Sequence, residues 1–345
     1  MADAPNTIVT GALEALACGR DLSEDDAARV LAEIMAGEVS HVQIAGFLIG
    51  LRTKGETVEE VAGLARTMRA LALPVRAARD NLVDTAGTGG GGSTFNVSTT
   101  AALIAAGAGC AVAKHGNRSA TSRSGSADLL EALGARIDLA PEAVAVCIEQ
   151  TGFGFMFAPG HHQATRFVVP VRRELAVRTI FNLLGPLTNP AGARRQLVGV
   201  ADAAHLELIA AVLARLGVDR ALVVSSEDGL DEISTAAATR VIEVDGDQTR
   251  SYTVTPLALG VEGAARGELT AGGDPSHNAA VTRAVLAGER GPARELALVN
   301  AGAAIYVAGE VSSIAEGVEA ARAAVDDGRA GATLEAFVAQ TNVAA

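Results

Sequence analysis

The chain has 345 residues and a formal net charge of −12, which excludes a surface built for nucleic acid or for an anionic membrane, since both call for positive charge. Apolar residues make up 49 % and aromatics 3 %, with no tryptophan, so the chain can fill a sizeable core built mainly of Ala, Val, Leu and Ile. Cys18, Cys110 and Cys147 lie in apolar stretches without CxxC spacing and are expected to be reduced core thiols of a cytoplasmic protein. No basic segment followed by an apolar run opens the chain, and no apolar run is long enough to span a membrane, so neither a signal peptide nor a membrane anchor is expected.

Residues 8–73 read as helices only. Ser23 is an N-cap followed by Glu24, Asp25 and Asp26, where the helix dipole favours acids, and Gly37 closes that helix. Ser40 starts the next, which ends at Lys54-Gly55. Thr57 with Glu60 forms a capping box for a third that runs to about Leu73, before Pro74. From residue 82 the pattern alternates. Leu82-Val83 predicts a strand, Ala101–Ala108 a helix, Ala111–Ala113 a strand, Ser126–Leu133 and Pro141–Gln150 helices, and Phe153–Phe157 a strand. A helix over Ala204–Leu216 then precedes a strand over Ala221–Val224. Asp245-Gly246-Asp247 joins a hairpin, and 278–305 and 311–327 are late helices. Such alternation predicts a mainly parallel sheet with both faces covered and ligands at the carboxyl ends of its strands.

Three loops placed there carry chemistry. In the first, Gly87 to Gly92, five of six residues are glycine, and Ser93-Thr94-Phe95-Asn96-Val97-Ser98-Thr99 leads into an apolar helix. Glycines let backbone N–H groups approach an anion, a helix N-terminus aims more N–H groups at the same point, and Ser98 and Thr99 add hydroxyls. The competing interpretation is a flexible linker, but linkers seldom run straight into a capped helix. The Walker and dinucleotide patterns are both missing. In the second, Lys114 to Ser126, thirteen residues supply three cations and six hydroxyls or amides, so two phosphate loops point to a ligand with two phosphate groups. In the third, Ser225 to Ser234, Glu227, Asp228, Asp231 and Glu232 make either an acidic surface turn or a Mg²⁺ site facing the ligand's phosphates. Arg172 and Arg178 are six residues apart. Either could clamp a substrate carboxylate or form an interdomain salt bridge.

Taken in order, the glycine loop with Thr94-Phe95-Asn96-Val97-Ser98-Thr99, the run Lys114-His115-Gly116-Asn117-Arg118-Ser119, Ser124–Asp128, Arg178–Pro190 and Gly229-Leu230-Asp231-Glu232 resemble the anthranilate phosphoribosyltransferase family over nearly the whole chain. The resemblance implies an α/β fold of the nucleoside phosphorylase/phosphoribosyltransferase kind: a small all-helical N-terminal domain plus a larger α/β domain with a mainly parallel central sheet. Residues 1–75, joined by helices from about 165–190, would form the first domain. Residues 80–345 would form the second, which binds phosphoribosyl pyrophosphate. The implied reaction is phosphoribosyl transfer from that donor to anthranilate in tryptophan biosynthesis. The implied assembly is a homodimer through the helical domain, with no nucleic-acid or membrane partner.

Carried over by position, Gly87, Gly90, Asn96, Ser98, Thr99, Lys114 and Ser126 match pyrophosphate or phosphoribosyl contacts. Asn117 and Arg172 match anthranilate contacts, and Ser98, Asp231 and Glu232 match Mg²⁺ positions. Gly91, Thr94, Val97, His115, Gly116, Arg118 and Ser122, in the same two loops, complete the expected substrate-binding set. No obligatory general base is implied; His115 is the candidate for one, and a purely structural or binding role suits it better. The chain departs from the family's usual pattern at Gly91, commonly acidic, in a glycine loop one residue shorter than usual, at Gln163, commonly Pro, and at Ala176, commonly Gly. A pyrimidine nucleoside phosphorylase shares the fold but carries Lys-His-Ser-Thr-Gly-Gly where this chain has Lys114–Ser119. A catalytically silent nucleic-acid-binding relative would want a basic groove.

Overall fold

The computed structural model describes residues 4–92, 94–119, 123–261, 263–264 and 272–343. Four helices open the chain: α1 (Thr7–Ala17), α2 (Glu24–Ala36), α3 (His41–Lys54) and α4 (Val58–Ala70). Their starts are capped by Asn6, Ser23, Ser40 and Thr57, whose side-chain oxygens accept from N–H groups of the first turn. The Thr57–Glu60 capping box forms, and Gly37 takes the left-handed conformation that ends α2. The last of these helices stops at Ala70, three residues before the expected end at Leu73.

The chain then alternates: β1 (Val83–Gly87), α5 (Val97–Gly107), β2 (Val112–Gly116), α6 (Ser126–Ala132), α7 (Pro141–Thr151) and β3 (Phe153–Phe157). Short helices α8 (Ala158–His161), α9 (Val169–Leu175) and α10 (Phe181–Leu184) return it to the helical bundle, where α9 packs on α3 and α10 on α4. Next come β4 (Arg195–Gly199), α11 (Leu206–Arg215), β5 (Arg220–Ser226), β6 (Thr239–Asp245) and β7 (Gln248–Val254). Four helices close the fold: α12 (Pro275–Leu286), α13 (Pro292–Ala308), α14 (Ile314–Asp326) and α15 (Arg329–Val343). The stretch 278–305, expected as one helix, is two helices broken at Gly288 and Gly291, both at positive φ. Three elements, α8, β4 and α15, carry no expectation above.

The seven strands form one sheet in the order β3-β2-β1-β4-β5-β6-β7, with the first five parallel and the last two antiparallel. Successive residues of a strand serve opposite faces. Leu197 and Leu222 join a core under α5 and α12–α15, while Val198 and Val223 join a core under α11 and the N-terminal bundle. Strand order reverses between β1 and β4, so the crevice beyond their carboxyl ends is the topological switch point.

At the far edge, Tyr252 and Tyr306 both donate to the buried carboxylate of Glu243, at 2.9 and 2.8 Å; they are the chain's two tyrosines. Cys110 and Cys147 are buried as expected, but Cys18, the residue that caps the end of α1, is exposed. Among the described residues no helix is long and apolar enough to cross a membrane.

Candidate active site

The switch point is built on glycine. Gly87 ends β1 and pairs with Gly199 at the end of β4, and Thr88 N–H donates to Gly199 O at 2.8 Å. Asp231 fills the space that three missing side chains leave. A Cβ on Gly199 or Gly91 would overlap Asp231, and one on Gly87 would lie 3.1 Å from its Oδ2. The loop turns through Gly89 and Gly90 at positive φ, a conformation that glycine adopts without cost. Gly92 N–H then donates to Gly229 O at 3.3 Å, so the glycine loop and the acidic loop are joined by their backbones as well.

The acidic pair is short of positive charge, and burial resists its ionisation. Burial pushes the Glu232 carboxyl up to about 8, and the neighbouring Asp231 carboxylate adds to it; Lys114 and the Ser98 N–H pull the other way. Burial likewise raises Asp231, opposed by its own N–H, the Gly89 N–H and Arg178. Both residues keep partial exposure. Two adjacent hard-oxygen ligands, each short of positive charge and each facing an anion-binding backbone, fit a divalent cation. No cluster of three or more His, Cys, Asp or Glu residues suited to a metal occurs among the described residues. A cation here therefore needs further oxygens, such as the Ser98 hydroxyl, a phosphate or water.

Several expected residues are brought together. Lys114 is only 1 % exposed and spends its donors inside the protein: on Thr85 O, on Thr85 Oγ1 at 3.1 Å and on Ser98 Oγ at 3.4 Å. It thus ties the first turn of α5 to β1. Burial lowers its affinity for a proton, while Asp84 and Glu232 favour the charged form. Asn96, the N-cap of α5, donates to Ser124 O at 3.1 Å, and its Oδ1 accepts from Ser124 Oγ at 3.0 Å and Asn278 Nδ2 at 2.8 Å. Gly116 lies against Ser126, the first residue of α6, whose Cβ would be 3.1 Å from a Cβ placed on Gly116. Thr99 Oγ1 is buried with no partner at the N-terminus of α5, an acceptor or donor left for something else.

His115 sits at the end of β2 rather than beyond it. Its Nδ1 is 3.1 Å from Gly185 O, which can only accept, so Nδ1 carries the proton and Nε2 is left a buried, unpartnered acceptor. Burial pushes its pKa down to about 3, and His162, with its ring centroid 5.1 Å away, adds to the shift. Burial pushes His162 down to about 4. Both rings are neutral at pH 7.

Other expected residues lie differently. Val97 is in the core, and its N–H donates to Phe95 O at 2.8 Å. Thr94 is partly buried, with its N–H on Gly92 O at 3.1 Å. Asn117 is exposed, and its Oδ1 accepts from the Arg118 N–H at 2.7 Å. Arg118 turns to α6, on Asp128 at 2.9 Å and Glu131 at 2.5 Å. Arg172, on α9, has its guanidinium 5.4 Å from the centroid of the Phe181 ring, with no hydrogen bond to the other expected residues among those described. Ser122 lies outside the described residues.

The sequence gives no motif for the support beneath the site. Asp84, fully buried in β1, accepts from His115 N–H at 3.1 Å and from Asn189 Nδ2 at 2.8 Å, and Asn189 also donates to Ala113 O at 2.8 Å. This pins Gly185–Pro190 beside β2. The available signal was a lone carboxylate inside an apolar strand. Between the bundle and the glycine loop lies a cleft of about 430 Å³, lined by Arg52, Glu56, Thr88, Gly90, Arg178, Asn182, Asp202 and His205 among others.

A helical bundle set against a parallel sheet, with a glycine loop, a helix N-terminus and an acid pair converging at the switch point, is the architecture of a glycosyl transferase. Residues 10–72 match the helical bundle domain of the Glycosyl transferase family and residues 79–331 its a/b domain. The chain belongs to the anthranilate phosphoribosyltransferase family. It is 54 % identical to the anthranilate phosphoribosyltransferase of Rubrobacter xylanophilus, over 95 % of this chain and 96 % of that one. It is 51 % identical to that of Moorella thermoacetica, over 93 % and 95 %. Among solved structures, the Thermus thermophilus enzyme matches with a TM-score of 0.91 at 47 % identity, over 96 % of this chain and 99 % of that one. The Saccharomyces cerevisiae enzyme in complex with PRPP and Mg matches with a TM-score of 0.89 at 25 % identity, over 98 % and 99 %.

Proposed function

We propose that the chain transfers the phosphoribosyl group of 5-phosphoribosyl 1-pyrophosphate to anthranilate, giving N-(5-phosphoribosyl)anthranilate and pyrophosphate in tryptophan biosynthesis, as a cytoplasmic enzyme. The observation that carries this is the meeting of the glycine loop, the Ser98 end of α5 and the Asp231-Glu232 pair around one crevice. Relatives named for this reaction, one of them solved with PRPP and Mg, support it.

The reaction is displacement at the anomeric carbon of ribose, with oxocarbenium character and pyrophosphate leaving. Backbone N–H groups at the loop's tip, those of Gly90 and Gly91, receive the charge that grows on the leaving oxygens. Ser98, Asp231 and Glu232 would hold Mg²⁺, which when bound neutralises diphosphate charge. Arg172 would hold the anthranilate carboxylate and Asn117 would position the ring. An aromatic amine is neutral at pH 7 and needs positioning more than deprotonation. His115 Nε2, an acceptor, suits an amine N–H. Residues 1–75, with about 165–190, act as one helical unit against the 80–345 domain, and that unit is the homodimer contact.

Loss of anthranilate fluorescence on adding phosphoribosyl pyrophosphate and Mg²⁺, abolished by chelator, tests the proposal. Folded protein that leaves the fluorescence unchanged would overturn it.

A further inference from the structure

Arg178 has no part in the mechanism just given. It leaves the bundle just before α10, three residues past the end of α9 at Leu175, and crosses the cleft to the glycine loop. Its Nη2 donates to Thr88 O at 3.1 Å. Its Nη1 occupies the space beside Gly90 where a Cβ would be, so the guanidinium meets the turn at the loop's tip edge-on. Its own carbonyl accepts from Arg52 Nη1 at 2.6 Å, which anchors the Arg178 backbone to the end of α3. The chain Arg52–Arg178–Thr88 is thus a continuous connection from the bundle to the loop.

We propose that Arg178 is a positioning residue for the donor substrate, holding the Thr88–Gly90 turn in its diphosphate-binding shape from the opposite side of the cleft. A loop so rich in glycine has many conformations, and its N–H groups converge on an anion in few of them. A planar guanidinium with one nitrogen on the Thr88 carbonyl and another where a Gly90 side chain would begin holds both residues of the turn at once. The site of action is the loop, so the effect falls on the donor and spares the acceptor.

The inference rests on the proposed reaction, and its test separates the two. In Arg178→Gln the KM for phosphoribosyl pyrophosphate is expected to rise roughly tenfold, the size of one lost charge-assisted hydrogen bond. The KM for anthranilate should stay within about twofold and the melting temperature should hold. Arg178→Lys should recover part of the loss, and Arg52→Gln should add little on top of Arg178→Gln because both act through one connection. Equal changes in both KM values, or a donor KM that does not move, would overturn the assignment. Calorimetric titration with magnesium pyrophosphate reads the same effect without turnover. Weaker binding by Arg178→Gln supports the role even if no transfer is seen, and equal binding by wild type and variant removes it.

Discussion

Gly91 and Asp231 touch through a gap that admits only hydrogen: a methyl group on Gly91 would overlap the Asp231 carboxylate and come within 2.8 Å of its backbone nitrogen. With glycine at 91, the space belongs to the acidic loop. Gly91→Ala is expected to lower kcat/KM for the donor roughly tenfold or more by displacing Asp231. Gly92→Ala meets only the end of Leu230 and should cost about threefold or less. Steady-state kinetics of the two variants side by side checks this, and equal effects would refute it.

Ala176 caps α9 in the left-handed conformation, with φ +52, a region that glycine adopts without cost. An L-residue pays about 1–2 kcal/mol there, and glycine returns part of that gain as greater freedom in the unfolded chain. Ala176→Gly should stabilise the protein by roughly 0.5–1 kcal/mol. Urea unfolding reads the sign directly.

Asp231→Asn with Glu232→Gln should reduce turnover by about a hundredfold or more while leaving stability unchanged or raised, because burial penalises both charges. The pH dependence follows. Glu232 keeps its proton up to about 8 in the fold and loses it near the ordinary carboxyl value of 4.5 when unfolded. Its contribution to stability therefore declines as pH rises from 4.5 to 8 and is level above that. Chelated wild type should show this decline and Glu232→Gln should lack it in melts across that range.

His115 and His162 have pKa values near 3 and 4 in the fold against 6.5 unfolded, so the unfolded chain binds protons first as pH falls. Their contribution is intact above about 6.5 and is lost progressively below it. Their ring carbon-bound proton resonances should stay flat from pH 5 to 8. Titration of either near 6.5 would contradict the neutral, buried arrangement.

Val42 and Ile49 lie seven residues apart on one face of α3 and are exposed, Val42 by 81 %, and Ile8 of α1 is exposed too. Such a face suits the proposed homodimer. Val42→Glu with Ile49→Glu should shift sedimentation from dimer to monomer, whereas a monomeric wild type would remove that proposal.

Much of this was legible in the chain itself. Ser23, Ser40, Thr57 and Gly37 mark helix ends because capping is local chemistry, and the hairpin at Gly246-Asp247 is equally local. The glycine loop and acid pair stand out because their composition suits little else. Strand β4 escaped because Arg195 and Gln196 interrupt its apolar pattern; Gln196 is buried, with its Nε2 donating to Pro186 O at 2.7 Å. Lys114 and Arg118 look alike as loop cations, yet one is sealed against Thr85 and the other bound to Asp128 and Glu131. Those are tertiary choices that spacing does not encode.

The pairing of Tyr252 and Tyr306 on Glu243, in a chain without tryptophan, has an optical consequence. Both ultraviolet emitters sit at one outer margin of the sheet, away from the crevice, and the protein is dark at the longer wavelengths where an aminobenzoate glows. Substrate and scaffold can therefore be watched in one cuvette on separate channels, the ligand reporting chemistry and the two phenols reporting the integrity of the sheet's edge.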